Sequence, residues 1–289
     1  MWRSISQQLS ETLMFDFQIS EKETLNGGDV HHCYCISGDH ERYFVKTNSR
    51  DSLPLFEAEA DNIRTLRDSR SLFLPEVILC GTSKNHAFLI LNYLATQSLT
   101  SSEASYVLGE QLATLHQWGE QKEYGFDDDN YLGTTLQPNR WHKKWSHFFA
   151  EQRIGWQLQL AQECGLSFVD NIPAFVQHIQ QCLAAHTPRP SLLHGNFQFS
   201  NVAHSALGPI SYNPASYWGD RECDLACAEW SGEFLDEFYQ GYQSVYALDE
   251  KYEERRPIYQ LYYSLNHCLL YGGHHLARSE QLIHKILYG

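Results

Sequence analysis

The chain predicts an α+β fold in two lobes. A small antiparallel-sheet lobe with one helix spans residues 1–92, and a larger, mainly helical lobe spans 93–289. Three observations carry this expectation. The length, 289 residues, divides into about two lobes at ~150 residues each. Up to Leu94, runs of β-branched and aromatic residues are separated by turn signals. Beyond it the texture changes to long helical periods, with no low-complexity linker and no internal repeat. A small sheet lobe joined directly to a helical one is the economical way to bury both.

In the first lobe the strand candidates are His32–Ser37, Arg42–Lys46, Glu76–Cys80 and His86–Tyr93, set apart by turns at Gly27–Gly28, Gly38–Asp39 and Gly81–Thr82. Between the second and third, Pro54–Asp68 reads as a helix, because Asp51 or Ser52 offers an N-cap and proline enters the first turn. In the second lobe the helical stretches are 102–118, 141–165, 171–186, 221–246 and 255–287. The DDDN run at Asp127 to Asn130 lacks the glycine and closing glutamate of a calcium loop, so it reads as a helix-capping loop.

Composition excludes several classes. The chain is 43% hydrophobic and 19% charged, with a net charge of −14; such an acidic surface repels phosphate backbones and anionic lipid, so neither nucleic acid nor membrane is the expected partner. No apolar run approaches the ~20 residues of a membrane span, and the first fifteen residues lack the continuous apolar region of a signal peptide. Eight scattered cysteines suit mostly buried thiols in a reducing cytoplasm. Cys33 and Cys35 share a strand face near His31 and His32, but no second pair stands at zinc-site spacing. These histidines, and His274–His275, read as surface or packed side chains. Nothing in the sequence sets the oligomeric state.

Two constellations carry chemistry. At 100° per residue, Phe56, Ala60, Ile63 and Leu66 form one apolar stripe on the helix near residue 60, and Glu59 falls inside it. An inward carboxylate is costly unless paired, and Lys46, at the end of the YFVK strand, is the natural partner; a glutamate snorkelling at the stripe's edge is the alternative. The order turn, strand, strand-lysine, helix-glutamate, strands, connector is that by which protein kinases hold ATP phosphates. Further on, LLHGNFQFSN (Leu192 to Asn201) and PISYNPASYWGDRECDLA (Pro209 to Ala226) set His194, Asn196, Asn201 and Asn213 where kinase-like enzymes carry a histidine, an aspartate base, an asparagine metal ligand and a metal-binding aspartate. Both carboxylate positions hold carboxamides.

With these motifs and others the sequence resembles the fructosamine kinase (ketoamine kinase) family, whose protein-kinase-like two-lobe fold is shared with aminoglycoside and choline kinases. The likeness covers GDHERYFVKTN, LFEAEADNIRTL, FLILNYL, the long run Gly125 to Ala161, YWGDRECDLA, and Ile258 to Gly273. It implies transfer of the ATP γ-phosphate to a sugar hydroxyl of a small ketoamine or a glycated protein lysine, leading to deglycation. It places Gly27, Gly28, Lys46 and Glu59 on nucleotide, with the backbone of Leu91, Asn92 and Tyr93 at adenine. Asn196, with Asn201 and His194, would occupy the catalytic loop; Asn201 and Asn213 would face Mg2+; Asn130, Trp145, Trp218 and Asp220 would meet substrate.

The chain departs from the family at the chemistry. Members read approximately HGDLWxGN and FDPAxYxGDRExDLA, whereas this chain reads HGNFQFSN and YNPASYWGDRECDLA. A carboxamide takes no proton near neutral pH, and positioned acid–base catalysis is worth ~10²–10⁴ in rate. Magnesium prefers charged oxygen, so weakened metal binding and impaired transfer are expected. Asp220 or Asp224 reaching the metal is one rescue; the competing reading is that Asp220, Arg221, Glu222 and Asp224 cap and brace the following helix. The alternative function is a pseudokinase that binds nucleotide, ketoamine or a partner protein without turnover.

Overall fold

The computed structural model describes residues 1–25, 30–38 and 41–289. It opens with helix α1 (Trp2–Leu13), followed by β1 (Glu21–Leu25), β2 (His32–Gly38) and β3 (Glu41–Ser49). Helix α2 (Leu53–Asp68) then leads to β4 (Val77–Thr82) and β5 (His86–Asn92). The five strands form one antiparallel sheet in the order β1-β2-β3-β5-β4. Strand periodicity explains how this sheet is covered on both faces. Tyr43, Val45, Phe88 and Ile90 join Ile5 and Leu9 of α1 in one apolar cluster, while Phe44, Leu89 and Leu91 turn to the α2 side.

All four stripe residues of α2, Phe56, Ala60, Ile63 and Leu66, are fully buried, and each large one contributes roughly 1.5–3 kcal/mol by leaving water. The sequence reading counted one helix in this lobe, and α1 is a second. Its signal was the i, i+4 spacing of Ile5, Leu9 and Leu13, over a stretch read only for its lack of a signal peptide.

The short β6 (Thr96–Gln97) and helix α3 (Ser102–Gln117) open the helical part. Next come a hairpin, β7 (Asn130–Leu132) and β8 (Thr135–Gln137), and a continuous helical run made of α4 (Trp145–Phe149), a π-helical turn over Ala150–Gly155, and α5 (Trp156–Glu163). Helix α6 (Ile172–Cys182) and β9 (Ser191–Leu192) precede β10 (Val202–Ser205), β11 (Gly208–Ser211) and β12 (Trp218–Gly219). Four helices close the chain: α7 (Glu222–Ser231), α8 (Asp236–Val245), α9 (Tyr252–Tyr271) and α10 (His275–Tyr288).

The stretches 221–246 and 255–287, each read as one helix, are two. Gly232 (φ 75°) ends α7 in the left-handed conformation that is the ordinary helix stop, and Gly272 and Gly273 (φ 61° and 62°), at backbone angles that favour glycine, separate α9 from α10. The DDDN loop caps no helix. Asp129 accepts the backbone N–H of Asn139 at 2.7 Å and Asn130 begins β7, so the acidic run braces a hairpin. No helix among the described residues is long and apolar enough to cross a membrane.

Candidate active site

Between the sheet and the helical part lies a cleft of about 770 Å³. Its upper wall carries Lys46, which β3 points to the α2 side of the sheet, and Glu59, which α2 points back. Lys46 Nζ donates to Glu59 Oε1 at 2.6 Å, so the inward glutamate is paired. Leu91, Asn92 and Tyr93 follow β5 along the same wall. There Asn92 Oδ1 accepts the Glu76 N–H at 2.6 Å, and the Arg42 guanidinium lies 4.1 Å over the Tyr93 ring. Gly27 and Gly28 lie outside the described residues.

The floor is built by the loops after β9 and β11. Asp224 of α7, fully buried, accepts the N–H groups of His194 at 2.7 Å and Gly195 at 2.8 Å, and His116 Nε2 meets the same carboxylate at 3.1 Å. Gly195 has φ 79°, and a Cβ there would lie 1.9 Å from the Ala215 carbonyl oxygen. This position therefore requires glycine. His194 is fully buried, and desolvation lowers its pKa from 6.5 to about 4, so it is a neutral brace. Phe197 stacks against Phe234 and Phe238 and pins the loop to α8. Asn196 and Gln198, on either side of Phe197, turn outward to the cleft.

The carboxamides close on one another in a belt. Lys46 Nζ donates to Asn213 Oδ1. Asn213 Nδ2 donates to Asn201 Oδ1 at 2.8 Å, and Asn201 Nδ2 to the Asn196 carbonyl at 2.9 Å. Asn196 Nδ2 returns to the Asn213 carbonyl at 3.0 Å, while Asn196 Oδ1 accepts from Gln198 Nε2 at 2.9 Å. Every amide oxygen offered at the positions of the missing carboxylates is thus already an acceptor, and none carries charge. Among the described residues lining the cleft, Glu59 is the only carboxylate, and Lys46 neutralises it.

A magnesium ion, which wants charged, free oxygens, does not fit this donor set. Nor do the nearby acids supply them. Asp220 accepts from Tyr259 Oη at 2.6 Å and meets His186 Nε2 at 2.7 Å, and Asp224 holds the loop. Glu222 is gripped by two Arg255 nitrogens at 2.8 and 2.6 Å. The acids after Asn213 brace the fold, as the second of the two sequence readings has it. His186, Asp220 and Glu222 do converge, but on these same partners.

The four residues expected to meet substrate do not line the cleft. Trp145 is buried in the helical core, with Nε1 on Tyr259 Oη at 3.0 Å, and Trp218 stacks on Trp118 at 6.0 Å. Asp220 is spent as above. Asn130 is buried and donates to Asn62 Oδ1 at 3.2 Å and the Ser216 carbonyl at 2.7 Å. They build the scaffold under the floor, which is why they sit in densely patterned motifs. What faces the floor across the cleft is the end of α9, with Asn266, His267, Leu270 and Tyr271, and His275 of α10. Sequence reasoning gave none of these, nor Gln198, a functional role; Gln198 and the four α9 residues fall in motifs already singled out, and His275 was read only as a surface or packed side chain.

Comparison with known proteins agrees with this architecture. The family model described as fructosamine kinase matches residues 1–289. A protein of Vibrio parahaemolyticus named a probable ketoamine kinase is 58% identical over 287 residues, covering 99% of both chains. One of Escherichia coli K12 with the same description is 46% identical over 287 residues, with 99% of each covered. A crystal structure from Haemophilus somnus 129PT, titled “Putative fructosamine-3-kinase”, superposes with a TM-score of 0.95 at 40% identity, covering 100% of this chain and 98% of that one. Fold alone is shared with an aminoglycoside phosphotransferase, APH(4)-Ia, in ternary complex with AMP-PNP and hygromycin B. There the TM-score is 0.66 at 14% identity, with 99% of this chain and 100% of that one covered.

Proposed function

The chain belongs to the fructosamine kinase family, and on that premise we propose that it binds ATP and a small ketoamine in the cleft and transfers phosphate far more slowly than carboxylate-bearing members. In this reading residues 1–92 form the nucleotide lobe. Lys46, positioned by Glu59, meets the phosphates, and the backbone of Leu91, Asn92 and Tyr93 borders adenine. The acceptor is a sugar hydroxyl of a glycated amine, and the protein acts in the cytoplasm. Phosphoryl transfer rests largely on positioning and charge stabilisation, so the intact lysine–glutamate pair supports some turnover without the usual base.

The observation that carries the reading is the closed amide belt from Lys46 through Asn213 and Asn201 to Asn196. It keeps the shape of a phosphotransfer floor while removing its charge. A carboxylate-lined floor repels a tetra-anionic nucleotide until a cation bridges them; an amide floor does not, so nucleotide binding here has little need of magnesium. Lys46 already lies on Asn213, where the phosphates would replace that contact.

The test is ATP turnover with a fructosyl-lysine acceptor, wild type against the double variant Asn196→Asp, Asn213→Asp. The variant is expected to gain about 10²–10⁴ in kcat and to become magnesium-dependent, while Lys46→Ala abolishes turnover in both backgrounds. A double variant no faster than wild type would reject the account of the belt. Wild-type ATP binding with no turnover at any acceptor concentration would establish the pseudokinase reading instead.

A further inference from the structure

The proposed slow transfer raises the question of what takes the hydroxyl proton when Asn196 cannot, and the end of α9 offers an answer. His267, on the last turns of α9, lines the cleft and adjoins the catalytic loop. Gln198 Nε2 lies 2.9 Å from Asn196 Oδ1 and 3.4 Å from His267 Nε2. One amide nitrogen has two hydrogens, one for each acceptor; the contact therefore requires Nε2 as the unprotonated nitrogen, its lone pair facing Gln198, the neighbour of Asn196 across the hydrogen bond. Because both contacts share that nitrogen, His267 Nε2 lies no farther from Asn196 Oδ1 than the two distances laid end to end.

The ring is held there by a T-shaped contact with Trp230 at 4.3 Å and another with Tyr271 at 5.2 Å. Facing it are His274, just before α10, and His275 on it, with Arg278 one turn beyond; its own burial first, and then these groups, lower its pKa from 6.5 to about 4. No carboxylate is among the groups acting on it. A neutral imidazole of that basicity matches the carboxylate it would replace.

We propose that His267 is the general base of this protein, displaced from the catalytic loop to the adjoining end of α9. This rests on the functional reading above. In the step, the substrate hydroxyl displaces Gln198 from Nε2, and the hydroxyl oxygen forms a bond to the γ-phosphorus of ATP. The bond from that phosphorus to the β–γ bridging oxygen breaks, and ADP leaves with the electron pair. The hydroxyl proton passes to His267 Nε2, giving an imidazolium that returns it to water after product leaves. The same lone pair selects an acceptor whose hydroxyl reaches the place that Gln198 now takes on His267.

The experiment is a two-background comparison with ATP and fructosyl-lysine. His267→Asn in the wild-type chain is expected to lower kcat by about 10²-fold or more. In the Asn196→Asp background, where a carboxylate stands on the loop again, the same substitution is expected to cost less than about 5-fold. Equal losses in both backgrounds would mean that His267 only shapes the wall, and wild-type kcat in His267→Asn would mean that it does nothing; either overturns the proposal. So does a wild type without turnover, and calorimetric ATP binding on the same samples then shows whether the cleft reading falls with it. Should His267→Asn melt well below wild type, His267→Gln replaces it in both arms.

Discussion

At Asn213 a side chain and its backbone are both unusual. Its φ of 51° is left-handed, a conformation that asparagine and aspartate tolerate better than other residues with side chains, and its amide joins two lobes. The residue was visible in the sequence as an amide out of place, and Glu59 as a carboxylate inside a stripe, because both break a local rule. The hydrogen bonds that close the belt were not visible, since they depend on loops from distant parts of the chain.

His194 was legible too, but only as a motif letter; that it is a buried neutral group follows from Asp224 and His116 behind it. The consequence is a pH dependence of stability with a definite sign. Its pKa is 6.5 when exposed and about 4 in the fold. Between those values the unfolded chain binds a proton that the folded chain refuses, so stability falls as pH drops from 6.5 to about 4 and then levels. From pH 7 to 5 this single group is expected to remove about 2 kcal/mol. His31 and His267 shift in the same direction and add to the loss. Urea unfolding at the two pH values checks it: His194→Asn should lose about 2 kcal/mol less than wild type over that interval, and a parallel loss would show that the imidazole is not titrating out of the fold.

Among the elements, those with strong periodicity were readable: α2, α3 and the strands β2 to β5 lie close to where the pattern put them. Two failures have physical causes. Strand β1, EKETL, is exposed along nearly its whole length, so no buried face leaves an alternation to read, and its charges suit an edge that must not pair with other chains. The divided helices near 232 and 272 were merged because helical periodicity resumes on both sides of a glycine stop.

The loop from Leu193 to Asn201 is the element on which the proposed chemistry depends. It is pinned by Asp224 from below and by Phe197 at α8. Gly195→Ala tests how tightly. A left-handed φ costs an alanine roughly 1–2 kcal/mol, and the clash with the Ala215 carbonyl forces the two floor loops apart. A total loss above about 3 kcal/mol in unfolding free energy is expected, with Asn196 displaced and ATP affinity reduced. A loss below 1 kcal/mol would mean that the floor loops move independently and that the belt is not a rigid unit.

For the molecule as a whole, the proposed function asks a chain of net charge −14 to accommodate a tetra-anionic nucleotide. Its acidic residues act at long range and are screened within about 8 Å at physiological salt, whereas the cleft holds one described carboxylate, already paired with Lys46. Local neutrality therefore governs binding, and the two halves of the molecule are joined there by Lys46 to Asn213 and by Asn62 to the Pro214 carbonyl at 3.2 Å. A nucleotide that replaces the first contact still bridges both halves and stabilises the whole chain by linkage, about 2.7 kcal/mol at a hundred times its Kd. That corresponds to a rise of several degrees in Tm for a chain of this size.

Since no carboxylate at Asn196 or Asn213 needs a cation to offset it, the rise with ATP and EDTA is expected to match that with ATP and magnesium to within about a degree. Asn213→Asp restores the repulsion. It also gives Lys46 a second charged partner, so that variant should gain little with ATP and EDTA and recover the full shift only when magnesium is added. A wild type that responds to ATP only with magnesium would mean that a cation finds charged oxygen in the cleft after all. The belt would then have to open on binding, and the account of slow transfer given above would lose its electrostatic basis.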